Sequence, residues 1–297
     1  MKRPSLFRQL SVAALASLIA ASFASCDQFT SGAGTDAELS DSLDSLGAMT
    51  DTVFAVRHFT FSDSLYDEET GRTSTFHVEI DLPTGGNKTL IDNIGRWVMT
   101  YISPTAQVDA LLDTSDEAMK GIAQEFYNQD DFWAGSSFDE KFHMVFEDSC
   151  YVSYEMEGEV FLGGIHGMPY HVGMTFDKKT GEQFSAVMLT ETDGLMEVIR
   201  DSLTSYFKSC GDEDADEMLF DNVRDSLPLP TCPAWLVEEG VKFVYGAYEI
   251  APYAAGMPSF VIPYETMKKY MDYEVKPIAK AQEPDSVANT QQSKTKK

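Results

Sequence analysis

The chain has 297 residues, 48 of them acidic and 22 basic, so its net charge is −26 at pH 7. A surface of this charge repels nucleic acid and anionic membrane faces and attracts basic partners at low salt. The composition therefore argues against a nucleic-acid-binding function. It leaves open whether the charge selects a cationic partner or serves solubility alone.

The first 26 residues are predicted to be a signal peptide, with a basic start and an apolar run too short to span a bilayer. The stretch Phe23-Ala24-Ser25-Cys26 resembles the lipobox of bacterial lipoproteins, which implies acylation of Cys26 and anchoring in the bacterial cell envelope. Ordinary signal cleavage nearby is the alternative. Removal of the signal's three basic residues would leave 19 basic and 48 acidic residues, a net charge of −29.

Polar composition predicts a flexible tether over residues 27–50 and a disordered tail over 276–297. Between them, apolar residues first alternate with polar ones, as expected of half-buried antiparallel strands. The alternating sets are Val53, Ala55, Arg57, Phe59 and Phe61, then Phe76, Val78, Ile80 and Leu82, and later 142–146, 152–156 and 170–176, with a further strand through Phe184 and Val187.

Helical spacing appears in three places. Leu90, Ile94 and Trp97 share one face of a helix over 87–103, and Thr114 with Glu117 suggests the start of a second helix. A long helix carries the stripe Leu195, Ile199, Leu203 and Phe207. Two further strands, over 241–245 and 260–262, precede a closing helix over 264–271. The pattern predicts an α+β fold with mainly antiparallel sheet and helices packed on it, in two adjoining modules.

Three cysteines remain once Cys26 is set aside. Cys210 and Cys232 flank an acidic connection, and a disulfide between them is predicted because the compartment permits one. Cys150 is expected to be a buried thiol.

No catalytic residue can be assigned. The sequence lacks HExxH, paired CxxC, GxSxG, phosphate-loop and GxGxxG motifs, so no metal or nucleotide cofactor is expected. His166 and His171 would need a third ligand to hold a metal, and a local hydrogen bond of His166 in a Gly-rich turn is the simpler interpretation. Asp212, Asp214 and Asp216 imitate a calcium loop that lacks its glycine and its final glutamate.

The stretch 248–256 is the candidate binding segment. It places Tyr248 and Tyr253 beside Pro252 in a connection between two strands, and exposed tyrosines are effective anchors for a partner. We add His166 to this binding set. The alternative is that the two tyrosines fold back and cap the core.

Two stretches carry a resemblance to a known family. GGIHGMPYHVGMTFDKKTGE, and after a long helix GVKFVYGAYEIAPYAAGMPSFVIPYETM, resemble the DUF3298 family, which includes RsiV-type proteins. The preceding part resembles the DUF4163 domain. The resemblance implies a DUF4163-like module over residues 51–162 and a DUF3298-like module over 163–275.

The family resemblance implies binding at the envelope more than catalysis. One branch is an anti-sigma factor whose outer part binds lysozyme, and another carries a polysaccharide deacetylase. We expect neither a sigma-binding segment nor a catalytic domain here. The expected partner is lysozyme, another basic envelope protein or a peptidoglycan fragment. The alternatives are a hydrolase acting on envelope carbohydrate and a structural lipoprotein.

Overall fold

The structure is a computed structural model that describes residues 53–103, 108–129, 132–184, 194–211 and 215–271. The predictions for the signal peptide, Cys26, the tether, the tail, Val187, Asp212 and Asp214 lie outside these residues. No helix in the described ranges is both long enough and apolar enough to cross a membrane.

The larger sheet has six strands that follow each other in chain order. They are β1 (Val56–Asp67), β2 (Arg72–Pro83), β3 (Ser137–Glu147), β4 (Tyr151–Phe161), β5 (Met168–Asp177) and β6 (Gln183–Phe184). Neighbouring strands are antiparallel, except that β2 and β3 are parallel. Parallel neighbours need a long crossover, and this one carries the helices α1 (Lys88–Ile102), α2 (Val108–Asp113) and α3 (Asp116–Tyr127).

One face of this sheet, the inner face, packs against α1 and α3. The predicted alternation on β2 is confirmed, because Phe76, Val78 and Ile80 are fully buried there. The stripe of α1 is also buried in this core. Residues of opposite parity point to the other side of the sheet, the outer face.

β1 and α3 begin at residues other than the predicted ones. Val53 is 84% exposed and lies before β1, while its neighbour Phe54 is buried. α3 begins at Asp116 and is capped by Ser115, whose hydroxyl accepts the Ala118 N–H, so Thr114 is not the cap. A serine hydroxyl satisfies a free amide of the first turn as well as a threonine does.

The smaller sheet has three antiparallel strands, β7 (Trp235–Val237), β8 (Gly240–Val244) and β9 (Ser259–Pro263). It packs on α4 (Leu195–Cys210) in a second core, where the predicted helical stripe is buried. Three short helices complete this part: α5 (Ala215–Met218), α6 (Asp221–Arg224) and α7 (Tyr264–Met267). The closing helix is thus shorter than predicted, and β7 was missed.

The two sheets meet where β7 lies on the outer face of β4 and β5. There the hydroxyls of Ser153 and Thr175 hydrogen-bond each other at 2.8 Å, and Thr175 accepts the Leu236 N–H at 3.1 Å. β5 pairs with β4 along its whole length, so the larger sheet continues across the predicted module boundary at 162/163. The predicted α+β class with mainly antiparallel sheet is confirmed.

The predicted disulfide is absent. Cys210 and Cys232 are both free thiols in the structure, and Cys150 is a half-buried free thiol. Cys210 is exposed at the end of α4, whereas Cys232 packs with Trp235, Val237 and Val244 against the larger sheet. The two thiols therefore belong to different surroundings, which a sequence spacing cannot distinguish.

Candidate functional site

Two loops that are distant in sequence meet at the end of the larger sheet. The ring of His166 stacks on that of Tyr253, with centroids 3.8 Å apart and planes at 22°. The Tyr253 hydroxyl donates to the Gly167 carbonyl oxygen at 3.1 Å, and the Tyr248 hydroxyl lies 3.4 Å from His166 Nε2. The structure thus brings together three of the four residues that the sequence singled out for binding.

The fourth residue, Pro252, is exposed and precedes the 3-10 turn Tyr253–Ala255. Its fixed φ sets up that turn, which ends at Gly256 with φ 68° and ψ −145°, a conformation that in practice only glycine adopts. The proline and the glycine therefore shape the turn that carries Tyr253 over His166.

The tyrosines do not cap the core. Tyr248 is 47% exposed, and Tyr253 is half-buried against His166. Ile250 and Ala251, between them, are buried and attach the loop to the second core. Tyr248 itself has φ 66°, which is uncommon for a residue other than glycine.

A cavity of about 460 Å³ lies beside these rings. Its walls are residues 168–174 of β5 on one side and residues 231–233 and 246–249 on the other, and Tyr101 and Met257 also line it. Tyr248 belongs to this lining and joins the cavity to the pair formed by His166 and Tyr253. We call the cavity, together with Tyr248, Tyr253 and His166, the tyrosine cleft.

The cleft runs along one side of β5, where the described residues place no second strand beside residues 168–174. Among the described residues, β6 ends at Phe184 and pairs with Thr175 and Phe176 of β5, so within this part of the chain residues 168–174 have β4 on one side and the cavity on the other. Alternate residues of an antiparallel strand direct their backbone groups to opposite sides. The Asp177 N–H points away from β4, because it donates to the Glu182 carbonyl oxygen at 2.9 Å, and Gly173 has the same parity along β5. The backbone groups of His171, two residues earlier, therefore point toward the cleft.

A buried polar network holds the side chain of His171, one of the residues that line the cavity. Glu155 Oε1 accepts from His171 Nε2 at 2.7 Å and from Lys242 Nζ at 2.5 Å, and Glu155 Oε2 accepts from Trp235 Nε1 at 3.1 Å. Burial acts to raise the pKa of Glu155, but the hydrogen bonds from His171 and Lys242 outweigh it and lower the pKa to about 2. The carboxylate is therefore ionised and holds the imidazole of His171 in one orientation.

Glu249 is the one acid among the described residues that line the cavity, and its oxygens are engaged. Glu249 Oε1 accepts from the backbone and hydroxyl of Thr231 at 2.6 and 2.8 Å, and Oε2 accepts the Gly246 N–H at 2.7 Å. Glycosidases need two carboxyl groups on either side of a sugar. The described lining does not offer such a pair, so no observation here favours the hydrolase alternative.

The predicted local hydrogen bond of His166 is present, between its Nδ1 and the Gly167 carbonyl oxygen at 2.8 Å. His171 instead faces Glu155, so the structure does not bring His166 and His171 together around a metal position. The Glu155 network was missed by sequence reasoning. The alternation Tyr154-Glu155-Met156 does mark a polar outer residue, but nothing local indicates that Trp235 and Lys242 cover it.

Comparison with known proteins supports the family resemblance over part of the chain. Residues 196–265 match the family model described as "Protein of unknown function (DUF3298)". This match begins inside α4, so it covers the smaller sheet but not the strand β5 that the sequence resemblance had included. No curated protein matches the chain.

Two solved structures share the fold. A crystal structure of a DUF3298 family protein from Pseudomonas aeruginosa PAO1 has 16% identity and a TM-score of 0.56, covering 76% of this chain and 98% of that one. A DUF3298 family member from Bacteroides fragilis has 14% identity and a TM-score of 0.54, covering 75% and 95%. Since three quarters of the chain is far more than residues 196–265, the shared fold includes much of the larger sheet.

Proposed function

We propose that this chain is a lipid-anchored binding protein of the bacterial cell envelope, and that its tyrosine cleft takes up an extended segment of a cationic partner protein. The observation that carries the proposal is the cleft itself, an apolar cavity with aromatic rings at its rim that runs along a stretch of β5 whose only strand partner among the described residues is β4. The proposal develops the DUF4163 and RsiV-type resemblance, in which the outer module binds lysozyme.

The strand edge supports an extended segment as the ligand. A peptide can add to an open edge through main-chain hydrogen bonds, while its alternate side chains enter neighbouring pockets. The backbone of His171 supplies a donor and an acceptor at this edge, and the Glu155 network fixes the strand that carries them. The cavity volume of about 460 Å³ lies within the range of small-ligand pockets, so it suits a few side chains of a larger partner.

The rim supports tight anchoring. Tyrosine buries a large area at low entropic cost, and residues that dominate binding energy are enriched in tyrosine. Tyr248 is exposed, and two contacts hold it in place, one between its hydroxyl and His166 and one a 5.6 Å ring pair with Tyr253. A rim prepared in this way loses little freedom when a ligand binds.

The charge supports a basic partner. The net charge of −26 attracts cationic proteins over a distance and raises their association rate at low salt. Contacts in the cleft would then supply the part of the affinity that salt does not remove. Lysozyme is the natural probe, because it is small, basic and the ligand of the related family branch.

The binding test measures the affinity of the purified full chain for hen-type lysozyme by calorimetry, at physiological and at high salt. The test variant is Tyr248→Ala, and the matched control is Tyr66→Ala, because Tyr66 is 61% exposed on β1 and does not line the cleft. We expect binding that persists at high salt, is weakened about tenfold or more by Tyr248→Ala and is unchanged by Tyr66→Ala.

Other outcomes contradict the proposal. If high salt abolished binding for all three proteins, the interaction would depend only on the negative charge of the surface and not on the cleft. Equal weakening by both tyrosine variants would place the contact elsewhere. Binding of a peptidoglycan fragment in place of lysozyme, lost in Tyr248→Ala, would keep the cleft but replace the protein partner by a carbohydrate-peptide ligand.

The anchor is tested separately with Cys26→Ser, followed by cell fractionation. We expect the unmodified chain in the membrane fraction and the variant in the soluble fraction, because several acyl chains on one cysteine hold a protein at a membrane. An identical distribution of the two proteins would contradict lipid anchoring without affecting the cleft.

A further inference from the structure

Four of the five histidines of the chain lie on the outer face of the larger sheet. His58, His77 and His143 occupy β1, β2 and β3, where this face is open to solvent, and His171 lies on β5, where the smaller sheet covers it. The open part of the face thus concentrates imidazole groups in an acidic protein, and it is remote from the predicted binding loops in sequence.

Two of these histidines flank one carboxylate. His58 is the cross-strand partner of Asp81, and His143 follows Phe142, which is the parallel partner of Ile80. His58 Nδ1 lies 3.1 Å from Asp81 Oδ1, and His143 Nδ1 lies 3.5 Å from Asp81 Oδ2. One ligand atom from each of the three side chains falls within 4.8 Å of the others.

The spacing suits a single metal ion. Two ligand atoms bound to a tetrahedral zinc at about 2.0–2.1 Å lie about 3.3 Å from each other. Each imidazole nitrogen lies near that distance from one oxygen of Asp81, His58 Nδ1 at 3.1 Å from Oδ1 and His143 Nδ1 at 3.5 Å from Oδ2. The imidazole rings are nearly parallel, with centroids 6.1 Å apart and planes at 10°, so both edges face the same carboxylate. Two imidazoles and one carboxylate are a ligand set typical of divalent transition metals.

The carboxylate is oriented by the backbone. Asp81 Oδ2 accepts the Met144 N–H at 3.0 Å, which holds the group between the two rings in the way that outer hydrogen bonds hold metal ligands. The side chains of His58 and His143 are 53% and 42% exposed. An ion there would keep coordination positions open to water.

A second cluster, Glu155 with Glu157 and His171, has similar spacing, but the charge of its buried carboxylate, Glu155, is already balanced by a lysine. The Lys242 ammonium lies 2.5 Å from Glu155 Oε1, where a cation would bind. No lysine or arginine is among the described ion-pair partners of Asp81, and the nearby Lys141 pairs with Glu79 instead at 3.3 Å. The two clusters therefore differ in whether a protein cation already occupies the carboxylate.

We propose that His58, Asp81 and His143 bind one divalent transition-metal ion, with Zn²⁺ as the probe, and that water completes its coordination. This site is separate from the tyrosine cleft, so the result of its test does not depend on whether the proposed function is correct.

The test is a Zn²⁺ titration of the purified full chain by calorimetry, with the reactive thiols alkylated beforehand. The variants are Asp81→Asn and His143→Ala, and the matched control is His77→Ala, which removes a histidine of the same face that pairs with Glu79. We expect one equivalent of Zn²⁺ to bind, each test variant to weaken binding at least about tenfold, and the control to bind like the unmodified chain. Absorption of the Co²⁺ complex adds a readout of the ligand atoms, with nitrogen and oxygen bands and no thiolate band.

Thermal unfolding without metal shows whether each variant is folded, and all three positions are at the protein surface or near it. Equal loss of affinity in the control and the test variants would overturn the proposal, because it would indicate diffuse binding to the acidic face. Stoichiometric binding that survives both test variants, or a thiolate band in the Co²⁺ spectrum, would overturn it as well.

Discussion

The indole of Trp235 occupies the space that a side chain at Gly173 would need. A Cβ at position 173 would lie 2.2 Å from a ring atom of Trp235, so the two residues fit together only because one of them is glycine. This contact joins the smaller sheet to β5, and it lies directly beside the Glu155 network and the cleft.

Gly173→Ala is expected to destabilise the protein by about 1–3 kcal/mol, because the indole must shift within a packed interface. The free energy of unfolding from urea titration measures the effect. Gly121→Ala is the control, since Gly121 is an exposed residue of α3 with nothing near its missing Cβ, and alanine there should be neutral or stabilise by up to about 1 kcal/mol. Equal effects of the two changes would contradict the packing argument.

Glu155→Gln is expected to cost about 3 kcal/mol at neutral pH, because Lys242 and His171 lose a buried anionic partner. Glu157→Gln should cost less than about 1 kcal/mol, since the Glu157 side chain is 61% exposed and its contact with His171 is screened by solvent. Urea unfolding of both variants checks this difference. A cost at Glu157 as large as that at Glu155 would show that burial does not set the strength of these pairs.

The pH dependence follows from the lowered pKa of Glu155. Its pKa is about 2 in the folded protein and about 4.5 in the unfolded chain, so its contribution is fully present above pH 4.5 and is lost as the pH falls toward 2. The stability difference between the unmodified chain and Glu155→Gln should therefore shrink over that window. A constant difference from pH 6 to pH 3 would contradict the assignment.

Glu140 is expected to behave in the opposite way. Burial, assisted by the nearby charge of Asp139, raises the pKa of Glu140 to about 8, and its Oε2 atom has no hydrogen-bond partner among the described residues. Because the folded pKa exceeds the unfolded value, stability should fall as the pH rises from about 4.5 to 8.

Glu140→Gln should remove that decline and gain about 2–4 kcal/mol relative to the unmodified chain at pH 9, with little gain at pH 5. Unfolding curves at the two pH values measure it. Asp139→Asn, an exposed neighbour on the same strand, should leave most of the decline in place. A gain from Glu140→Gln that is the same at both pH values would indicate a packing effect rather than titration.

The cysteines offer a chemical check of the structure. Burial raises the pKa of the Cys232 thiol to about 12, whereas Cys210 is exposed. Iodoacetamide should modify Cys210 in the native protein and Cys232 only after unfolding, without any reductant. Peptide mapping by mass spectrometry distinguishes the sites, and recovery of a peptide in which Cys210 is bonded to Cys232 would contradict the free thiols.

Local patterns predicted the elements well wherever one face of an element is buried. The buried residues of β2 and the stripe of α4 are confirmed because period and burial coincide within one element. The stretch 248–256 was also correctly predicted to connect two strands, because aromatic residues beside Pro252 and Gly256 are unusual in a chain this acidic. The sequence could not predict that His166 stacks on Tyr253, because their contact joins loops 87 residues apart.

For the same reason, the sequence could not predict which distant strands pair with each other. β2 and β3 are separated by three helices, so the approach of His143 to Asp81 depends on a parallel register that alternation alone cannot determine. Likewise, Glu155 resembles any other outer-face residue until Trp235 and Lys242 cover it. Polar networks between sheets depend on tertiary packing, and the local sequence does not distinguish the residues that form them.

The stretch of β5 along the cleft, which has no second strand partner among the described residues, has a consequence for self-association. An unpaired strand is a template for aggregation, because a second copy of the chain can add its own strand there. Pro169 has no N–H to offer at this edge, and the segments 231–233 and 246–249 stand opposite it across the cavity. Pro169 and the facing segments therefore hinder the addition of a strand from another copy, so the same walls that line the cleft also limit self-association.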